Sequence, residues 1–484
     1  MPVPRLLVAV GTTLATALVL GPAAIGATSA TGATGAAHAA VTGSDSGGDP
    51  YFPLDGNGGY QVEHYTIRDD YRPGSDRLTG STVLEARATA DLSAFHLDLA
   101  LTADSVRVDG VAARFSKPNR HELRVVPATA VTAGDPFRVV VRYHGRPASV
   151  VAAGQSPFSW TRGEGVAVGQ PQMGPWWFAA NETPADKATY DIVLRVPRGQ
   201  EALSNGELVS REPVGDWTRW TWRMSQPMAT YLAFFAAGQF RVEQTTAAGR
   251  PVVYGVSEKL GGTARAEAMA LMRRTPGVVS WLESEFGPYP FTSTGGVVVG
   301  APLGYLLETQ SRPVYPYIGG TTARNVSLVV HEQAHQWFGD DVAVTRWRDI
   351  WLNEGFATYA EWAWSEHLGS RTVSERLRLA YDGRPRNAPF WGLKVSDPGP
   401  ARMFDDVIYQ RGAMTLAALR QRVGDATFDA VARAWVTRNA RGHGTDAEFR
   451  ALAEELSGEE LSAFFAEWLD DTDRPADTEE NGLP

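Results

Sequence analysis

A histidine and glutamate motif is the clearest candidate for chemistry in this chain. His331 and His335 are four residues apart, and Glu332 lies between them. In an α-helix this spacing puts both imidazoles on one face, where they can bind the same metal ion. H-E-x-x-H on a helix is typical of two zinc ligands and a glutamate that acts on water. The pattern therefore predicts a zinc site with Glu332 as the general base.

The third metal ligand is predicted in a second helix. A catalytic zinc ion has three protein ligands and keeps one position open. Eighteen residues separate His335 from Glu354, which lies in a run with helical character, so we predict Glu354 as the third ligand of one Zn²⁺ per chain. The metzincin pattern needs a histidine where Asp341 stands and is excluded. The alternative is a pair of exposed histidines, but the apolar flanks make unpaired charge costly.

These motifs resemble those of the aminopeptidase N family of zinc metallopeptidases. In that family H-E-x-x-H is followed, after eighteen residues, by the glutamate of N-E-G-F-A, and this chain has N-E-G-F-A at residues 353–357. The resemblance implies an α+β multidomain fold, in which an N-terminal all-β domain precedes a thermolysin-like, mainly α-helical zinc catalytic domain. It also implies cleavage of the first residue from peptides that have a free N-terminus.

The resemblance also implies two residues that bind the substrate's amine. Glu308 lies 23 residues before His331, where the family has the glutamate of G-A-M-E-N that receives the α-ammonium group. Gln170 precedes a stretch that ends in Pro184 and Lys187, and its position matches a residue that helps to bind the same amine. Most other residues of both motifs differ in this chain. An ordinary salt-bridged residue and an ordinary loop residue are the respective alternatives.

A tyrosine near the end of the chain completes the predicted site. Residues 407–414 resemble the family's Y-E-K-G stretch, whose tyrosine hydroxyl stabilises the tetrahedral intermediate, and Tyr409 takes this role by position. A phenol suits it because it donates a hydrogen bond while neutral at pH 7. The alternative is a core tyrosine at the start of a helix. Only 75 residues follow Tyr409, so we expect no large C-terminal helical domain of the kind that longer family members carry.

The first 39 residues differ in composition from the rest of the chain. They contain one charged residue, Arg5, an apolar run from Leu6 to Leu20, and an A-x-A site at residues 37–39. This pattern predicts a secretory signal peptide. An uncleaved membrane anchor is the alternative, but the apolar run is short for a membrane span. We therefore expect a secreted protein, and the Ala-, Gly- and Arg-rich composition favours a bacterial source.

The remaining residues divide into segments by pattern. We predict a linker at 40–56, a β-sheet domain at 57–247, a catalytic domain at 248–470 and an acidic, frayed tail at 471–484. Alternation with a period of two, as in Phe95, Leu97, Leu99 and Leu101, predicts the strands. Apolar residues at helical spacing predict helices after about residue 251.

Composition and charge limit the functions that remain. The chain has no cysteine, which excludes a disulfide framework and a thiol nucleophile. Its net charge of −10 argues against nucleic-acid or anionic membrane partners, so we expect peptide substrates, no membrane contact after signal cleavage, and a monomer. Three other functions stay open: a zinc endopeptidase, another hydrolase at the same zinc site, and an inactive binding scaffold. The complete set of predicted catalytic residues disfavours the scaffold.

Overall fold

The computed structural model describes residues 40–152 and 154–483, and the predicted signal peptide lies outside them. The strands are β1 (Val41–Thr42), β2 (Tyr60–Arg72), β3 (Arg77–Ala88), β4 (Leu92–Asp98), β5 (Thr102–Val108), β6 (Val111–Ala112), β7 (Arg114–Ser116), β8 (Glu122–Val126), β9 (Pro136–Gly145), β10 (Ser159–Thr161), β11 (Glu164–Ala167), β12 (Ala188–Pro197), β13 (Glu201–Ser204), β14 (Glu207–Val214), β15 (Trp217–Met228), β16 (Phe235–Gly238), β17 (Phe240–Ala247), β18 (Arg250–Ser257), β19 (Thr294–Val298), β20 (Val314–Tyr315), β21 (Ala343–Val344) and β22 (His443–Gly444). The helices are α1 (Gly262–Met272), α2 (Thr275–Phe286), α3 (Ala323–Ala334), α4 (Trp351–His367), α5 (Val373–Asp382), α6 (Asp406–Val423), α7 (Asp425–Arg438), α8 (Asp446–Ser457) and α9 (Ser462–Phe465). Strands come first and helices follow, so the α+β fold class is confirmed.

The largest sheet has the strand order β14-β15-β12-β2-β3-β9-β5-β6. The predicted alternation is present in β9, where Phe137, Val139, Val141 and Tyr143 are buried. Such strands bury one face against the core and leave the other face to solvent or partial cover. Two smaller sheets, β1-β4-β8-β7 and β10-β11-β16-β13, complete the β-rich part of the described residues.

Strand β4 departs from the predicted alternation. Phe95 and Leu97 are buried as expected, but His96 and Asp98 between and beyond them are also buried. Both faces of this strand are therefore covered, and Asp98 is fully enclosed. The alternation predicts a strand here, but it does not reveal what covers the second face.

A mixed sheet with the order β17-β18-β19-β20 begins the helical part of the chain. β17 and β18 form an antiparallel hairpin, and β19, which contains the first two valines of a Gly-bounded run, pairs in parallel with β18. The predicted domain boundary between residues 247 and 248 falls in the turn of this hairpin. The division into a β domain at 57–247 and a catalytic domain at 248–470 stays a prediction.

The helices begin where local sequence signals place them. The run of helical spacing from Ala264 to Phe286 is divided into α1 and α2, with Pro276 in the first turn of α2. Proline is accepted in a first turn because its missing N–H would have no partner there. The T-x-x-E pattern before α8 forms a capping box, in which Thr445 and Glu448 exchange hydrogen bonds between side chains and backbone. None of the described helices is long and apolar enough to cross a membrane.

Two segments predicted to be loose are packed against the rest of the chain. In the linker at 40–56, Asp49 Oδ2 accepts a hydrogen bond from the Trp347 amide at 2.7 Å, and the Tyr51 hydroxyl donates to Asp397 at 2.5 Å. In the tail, Trp468 Nε1 donates to the Asn481 carbonyl at 3.1 Å. Both segments therefore make specific long-range contacts, which neither a Gly-, Ser- and Asp-rich composition nor an acidic one reveals; their division from the two domains stays a prediction.

Lys187 joins the β-rich part to the loop that follows α3. Its ammonium donates to the carbonyl oxygens of Asp340 at 2.8 Å, Asp341 at 2.7 Å and Gly442 at 3.3 Å. Replacement by methionine keeps the aliphatic stem but removes these hydrogen bonds, after which the Gly442 carbonyl still accepts from the Ala343 amide. We expect Lys187→Met to lower the free energy of unfolding by about 2–4 kcal/mol, measured by chemical denaturation. Lys259→Met, at an exposed lysine that donates to one carbonyl, is the control and should change it by less than about 1 kcal/mol.

Candidate active site

The predicted metal ligands are positioned by α3 and α4. α3 begins at the N-cap Thr322, whose side chain accepts a hydrogen bond from the Asn325 amide. His331 lies in its last turn, and His335 directly follows its last residue. Glu354 lies in the first turn of α4. The structure therefore brings together all three residues that the sequence predicts as ligands, and all three are buried.

The distances between the ligand atoms fit a zinc ion. The Nε2 atoms of His331 and His335 each lie 3.4 Å from Oε2 of Glu354. A tetrahedral ion with bonds of about 2.0–2.1 Å separates its ligand atoms by about 3.3–3.4 Å. Two imidazoles and one carboxylate are also the ligand set of many catalytic zinc sites. His331, His335 and Glu354 therefore fit the three-ligand site of a zinc ion.

Hydrogen bonds at the far side of each imidazole orient its metal-binding nitrogen. His331 Nδ1 donates to Glu361 Oε1 at 2.9 Å, and His335 Nδ1 donates to the Phe338 carbonyl at 3.1 Å. Because both acceptors require a proton on Nδ1, each Nε2 keeps its lone pair for a metal ion. Glu361 was not identified as a functional residue from the sequence. A signal was present, because Glu361 lies seven residues after Glu354, and residues seven apart lie on the same face of a helix.

Glu361 is expected to raise the affinity for zinc without binding the ion. Glu361→Gln removes the carboxylate that orients His331. We expect a decrease in Zn²⁺ affinity of about 10- to 100-fold, measured by competition with a chromophoric chelator. Glu366→Gln is the control, because Glu366 lies on the same helix but pairs with Arg420. Equal Zn²⁺ affinities of the wild type and Glu361→Gln would contradict this role.

The site is a buried cluster of ionisable groups. Burial raises the pKa of Glu332 to about 8, while His331 and His335 oppose the shift. Burial also acts to raise the pKa of Glu354, but the same two imidazoles outweigh it and hold this pKa at about 2. Glu354 is therefore ionised at neutral pH, as a metal ligand must be. Glu332 is the group of the cluster that is suited to accept and release a proton near pH 7.

A cleft of about 290 Å³ joins all the predicted site residues. Tyr409 lies in the first turn of α6, and its ring stacks on that of His331 with the centroids 6.0 Å apart. Burial, and next the Glu354 carboxylate, raise the pKa of the Tyr409 hydroxyl, so the phenol stays protonated. Gln170 and Glu308 line the same cleft, and Gln170 Nε2 donates to Glu308 Oε1 at 2.8 Å.

Glu308 is a buried carboxylate that faces the cleft. Its side chain is 2% exposed, and burial is the main cause that raises its pKa. Among residues 40–152 and 154–483, no lysine or arginine forms an ion pair with Glu308. A buried carboxylate without a cationic partner is costly, and a cationic ligand would remove that cost. The arrangement therefore offers an anionic subsite next to the zinc ligands.

Comparison with known proteins identifies both halves of the chain. The family profile described as "Peptidase M1 N-terminal domain" matches residues 63–232, and that of the "Peptidase family M1 domain" matches residues 318–468. Aminopeptidase N of Streptomyces lividans is 27% identical over 316 residues, which are 60% of this chain and 36% of that protein. Glutamyl aminopeptidase of Rattus norvegicus is 30% identical over 272 residues, 52% of this chain and 28% of that protein. The chain spans about a third of the length of the curated relatives it matches.

A solved structure matches nearly the whole chain. The M1 zinc metallopeptidase of Deinococcus radiodurans has a TM-score of 0.76 and 25% identity, and the match covers 88% of this chain and 97% of that one. A variant of the same protein, bound to a Tyr-Ser-Ala substrate, matches with a TM-score of 0.75. The two family profiles together cover about two thirds of this chain. The chain therefore belongs to peptidase family M1, and its resemblance to the aminopeptidase N-like zinc metallopeptidases is confirmed.

Proposed function

We propose that this chain is a zinc-dependent aminopeptidase that hydrolyses the first peptide bond of peptides with a free N-terminus. The observation that carries the proposal is the buried Glu308 carboxylate, held by Gln170 in the same cleft as the zinc ligands. This carboxylate attracts an ammonium group and thereby places the first peptide bond beside the metal site. The aminopeptidase names of the relatives from Streptomyces lividans and Rattus norvegicus support the same assignment.

Each side chain around the cleft has its own role in the reaction. When bound, zinc supplies a Lewis acid that polarises a carbonyl group and acidifies water. Glu332 accepts a proton from the attacking water and returns it to the leaving amine. The Tyr409 hydroxyl donates a hydrogen bond to the oxyanion of the tetrahedral intermediate. Glu308 and Gln170 hold the ammonium group, which prevents the substrate from sliding farther through the cleft.

Hydrolysis of matched amides tests this proposal directly. We would compare aminoacyl chromogenic amides with their N-acetylated forms, with and without a zinc chelator. The proposal expects hydrolysis of the free-amine forms only, abolished by the chelator and restored by Zn²⁺. Hydrolysis of N-acetylated or internal bonds would instead make the chain an endopeptidase. Absence of hydrolysis with zinc bound would favour a binding scaffold.

Tyr409 is expected to act in the transition state rather than in substrate binding. Tyr409→Phe keeps the ring that stacks on His331 but removes the donor to the oxyanion. We expect kcat to fall by about 10²- to 10³-fold with little change in KM. Tyr305→Phe is a matched control, because Tyr305 lines the same cleft and donates its hydroxyl hydrogen to the Val168 carbonyl. A similar kcat loss in both variants would mean that hydroxyl loss perturbs the cleft in general.

We propose that residues 1–39 direct secretion. The segment has a charged residue near its start, then an apolar run, and an A-x-A site at its end. We also propose that the secreted enzyme acts as a monomer on extracellular peptides. Mass spectrometry of protein from the culture medium would give the mature N-terminus, and light scattering would give its mass. An N-terminus at Met1, or a dimer at micromolar concentration, would refute the respective statement.

A further inference from the structure

A second cluster of potential metal ligands lies in the β-rich part, apart from the catalytic cleft. Asp98 is the last residue of β4, Glu122 is the first residue of β8, and His121 directly precedes it. The antiparallel register places Asp98 directly opposite Glu122. All three side chains are buried, with at most 2% of each exposed. Like charges directly opposite in a sheet destabilise it, so this pair needs a compensating group.

The hydrogen bonds of Asp98 leave one of its oxygens free. Oδ2 accepts from the Gly56 amide at 3.2 Å, from Asn57 Nδ2 at 3.0 Å and from the Glu182 amide at 2.7 Å. Oδ1 has no hydrogen-bond partner among the described residues, and neither has either carboxylate oxygen of Glu122. Buried carboxylate oxygens without a donor are rare in folded proteins, and each needs an explanation.

Side-chain cations do not supply the missing charge. Among the described residues, neither Asp98 nor Glu122 forms an ion pair with a lysine or an arginine; their ion-pair partner is His121. The ammonium group of Lys117 donates instead to the carbonyls of Leu99 and Leu101.

We propose that Asp98, His121 and Glu122 bind a second divalent metal ion of the zinc class. His121 Nδ1 lies 3.4 Å from Asp98 Oδ1 and 3.8 Å from Glu122 Oε1. One ligand atom from each residue lies within 4.8 Å of the others, as in the catalytic site. The separation from Asp98 equals the 3.4 Å between the catalytic ligand atoms, and the separation from Glu122 is longer, so Glu122 must move closer when an ion binds.

A carboxylate beyond the imidazole supports the same assignment. His121 Nε2 lies 3.5 Å from Asp55 Oδ1, and neither atom has a hydrogen-bond partner among the described residues. A small shift of either side chain would let Asp55 accept the proton of Nε2 and leave Nδ1 for the metal. This carboxylate, histidine and metal order is the usual arrangement around a metal-bound imidazole. Gln172 Nε2 in turn donates to Asp55 Oδ2. The same order occurs in the catalytic site, where Glu361 orients His331.

The ligand chemistry selects the class of ion and its role. An imidazole nitrogen favours zinc and related transition metals over calcium, which prefers oxygen ligands alone. The cluster is enclosed, so the ion has no access to a peptide and acts in stability. It links β4 and β8 to the segment around Asp55 and Gly56, which is part of the stretch predicted to be a linker.

Counting metal ions separates the two sites. We expect about two Zn²⁺ per wild-type chain after reconstitution and desalting, measured by mass spectrometry of the metal. The double variant His331→Ala/His335→Ala should retain one, and His121→Gln with intact catalytic ligands should also retain one. Asp104→Asn, at an exposed Asp–His pair on β5 and β9, is the control and should retain two. One ion in the wild type and none in the double variant would overturn the proposal.

A titration of the double variant tests the site even where His121→Gln fails to fold. The chelator-treated double variant is titrated with Zn²⁺ alone, and with Ca²⁺ alone in parallel. We expect Zn²⁺ to bind at one equivalent and to raise Tm by about 2–5 °C, and Ca²⁺ to leave Tm unchanged. Absence of Zn²⁺ binding, or stabilisation by Ca²⁺ alone, would refute a zinc-class site. Because the readouts are metal content and Tm, they do not depend on peptidase activity.

Discussion

Glu332→Gln is expected to lower kcat by about 10²- to 10⁴-fold while the zinc content stays at the wild-type value. The amide has nearly the same shape, so the buried position on α3 stays filled, but it cannot accept a proton near neutral pH. Glu332 is also not one of the three ligands that surround the metal position. The loss should therefore appear in turnover, measured with a free-amine chromogenic amide at saturating Zn²⁺.

The comparison with Glu361→Gln makes this expectation specific. Both variants neutralise a glutamate near His331, but Glu361 only orients the imidazole. At saturating Zn²⁺, Glu361→Gln should therefore recover most of its kcat, whereas Glu332→Gln should not. A Glu332→Gln enzyme with wild-type kcat, or one that regains kcat when more zinc is added, would exclude Glu332 as the general base.

The metal site was predictable because its signals are local. His331 and His335 are joined by one helical turn, and the separation from Glu354 is a motif that can be read directly from the chain. The structure also places Glu308, Gln170 and Tyr409 in the same cleft, while their roles stay predictions. The positions of these three came from family motifs, since nothing in their local spacing indicates that they meet.

Features that depend on distant contacts were not predictable. Asp55, Asp98 and His121 come from three separate stretches. The pairing of β4 with β8 brings Asp98 to His121, and the hydrogen bonds of Gly56 and Asn57 to Asp98 bring the segment of Asp55 to the same place. The composition of residues 40–56 indicates a linker, although Asp49 bonds to Trp347, 298 residues away. The alternation of apolar residues describes one strand, and composition describes one segment. Neither indicates which distant part of the chain packs against that strand or segment.

Glu308→Ala is expected to remove the preference for a free amine. Loss of a buried carboxylate that pairs with an ammonium group costs about 3–5 kcal/mol, so kcat/KM for free-amine substrates should fall by at least about 10²-fold. The change should appear mainly as a higher KM. N-acetylated amides have no ammonium group that could pair with Glu308. Their kcat/KM should therefore stay the same or increase. The measurement is the kcat/KM of a free-amine amide divided by the kcat/KM of its N-acetylated form.

Asp406→Asn is the matched control for this prediction. Asp406 also lines the cleft, but its side chain is 72% exposed, so water screens its charge. We expect it to change the same ratio by less than about threefold. If Glu308→Ala and Asp406→Asn lower the ratio equally, the preference arises from the general negative charge of the cleft. If neither changes it, Glu308 does not bind the amine, and the exopeptidase assignment loses the observation that carries it.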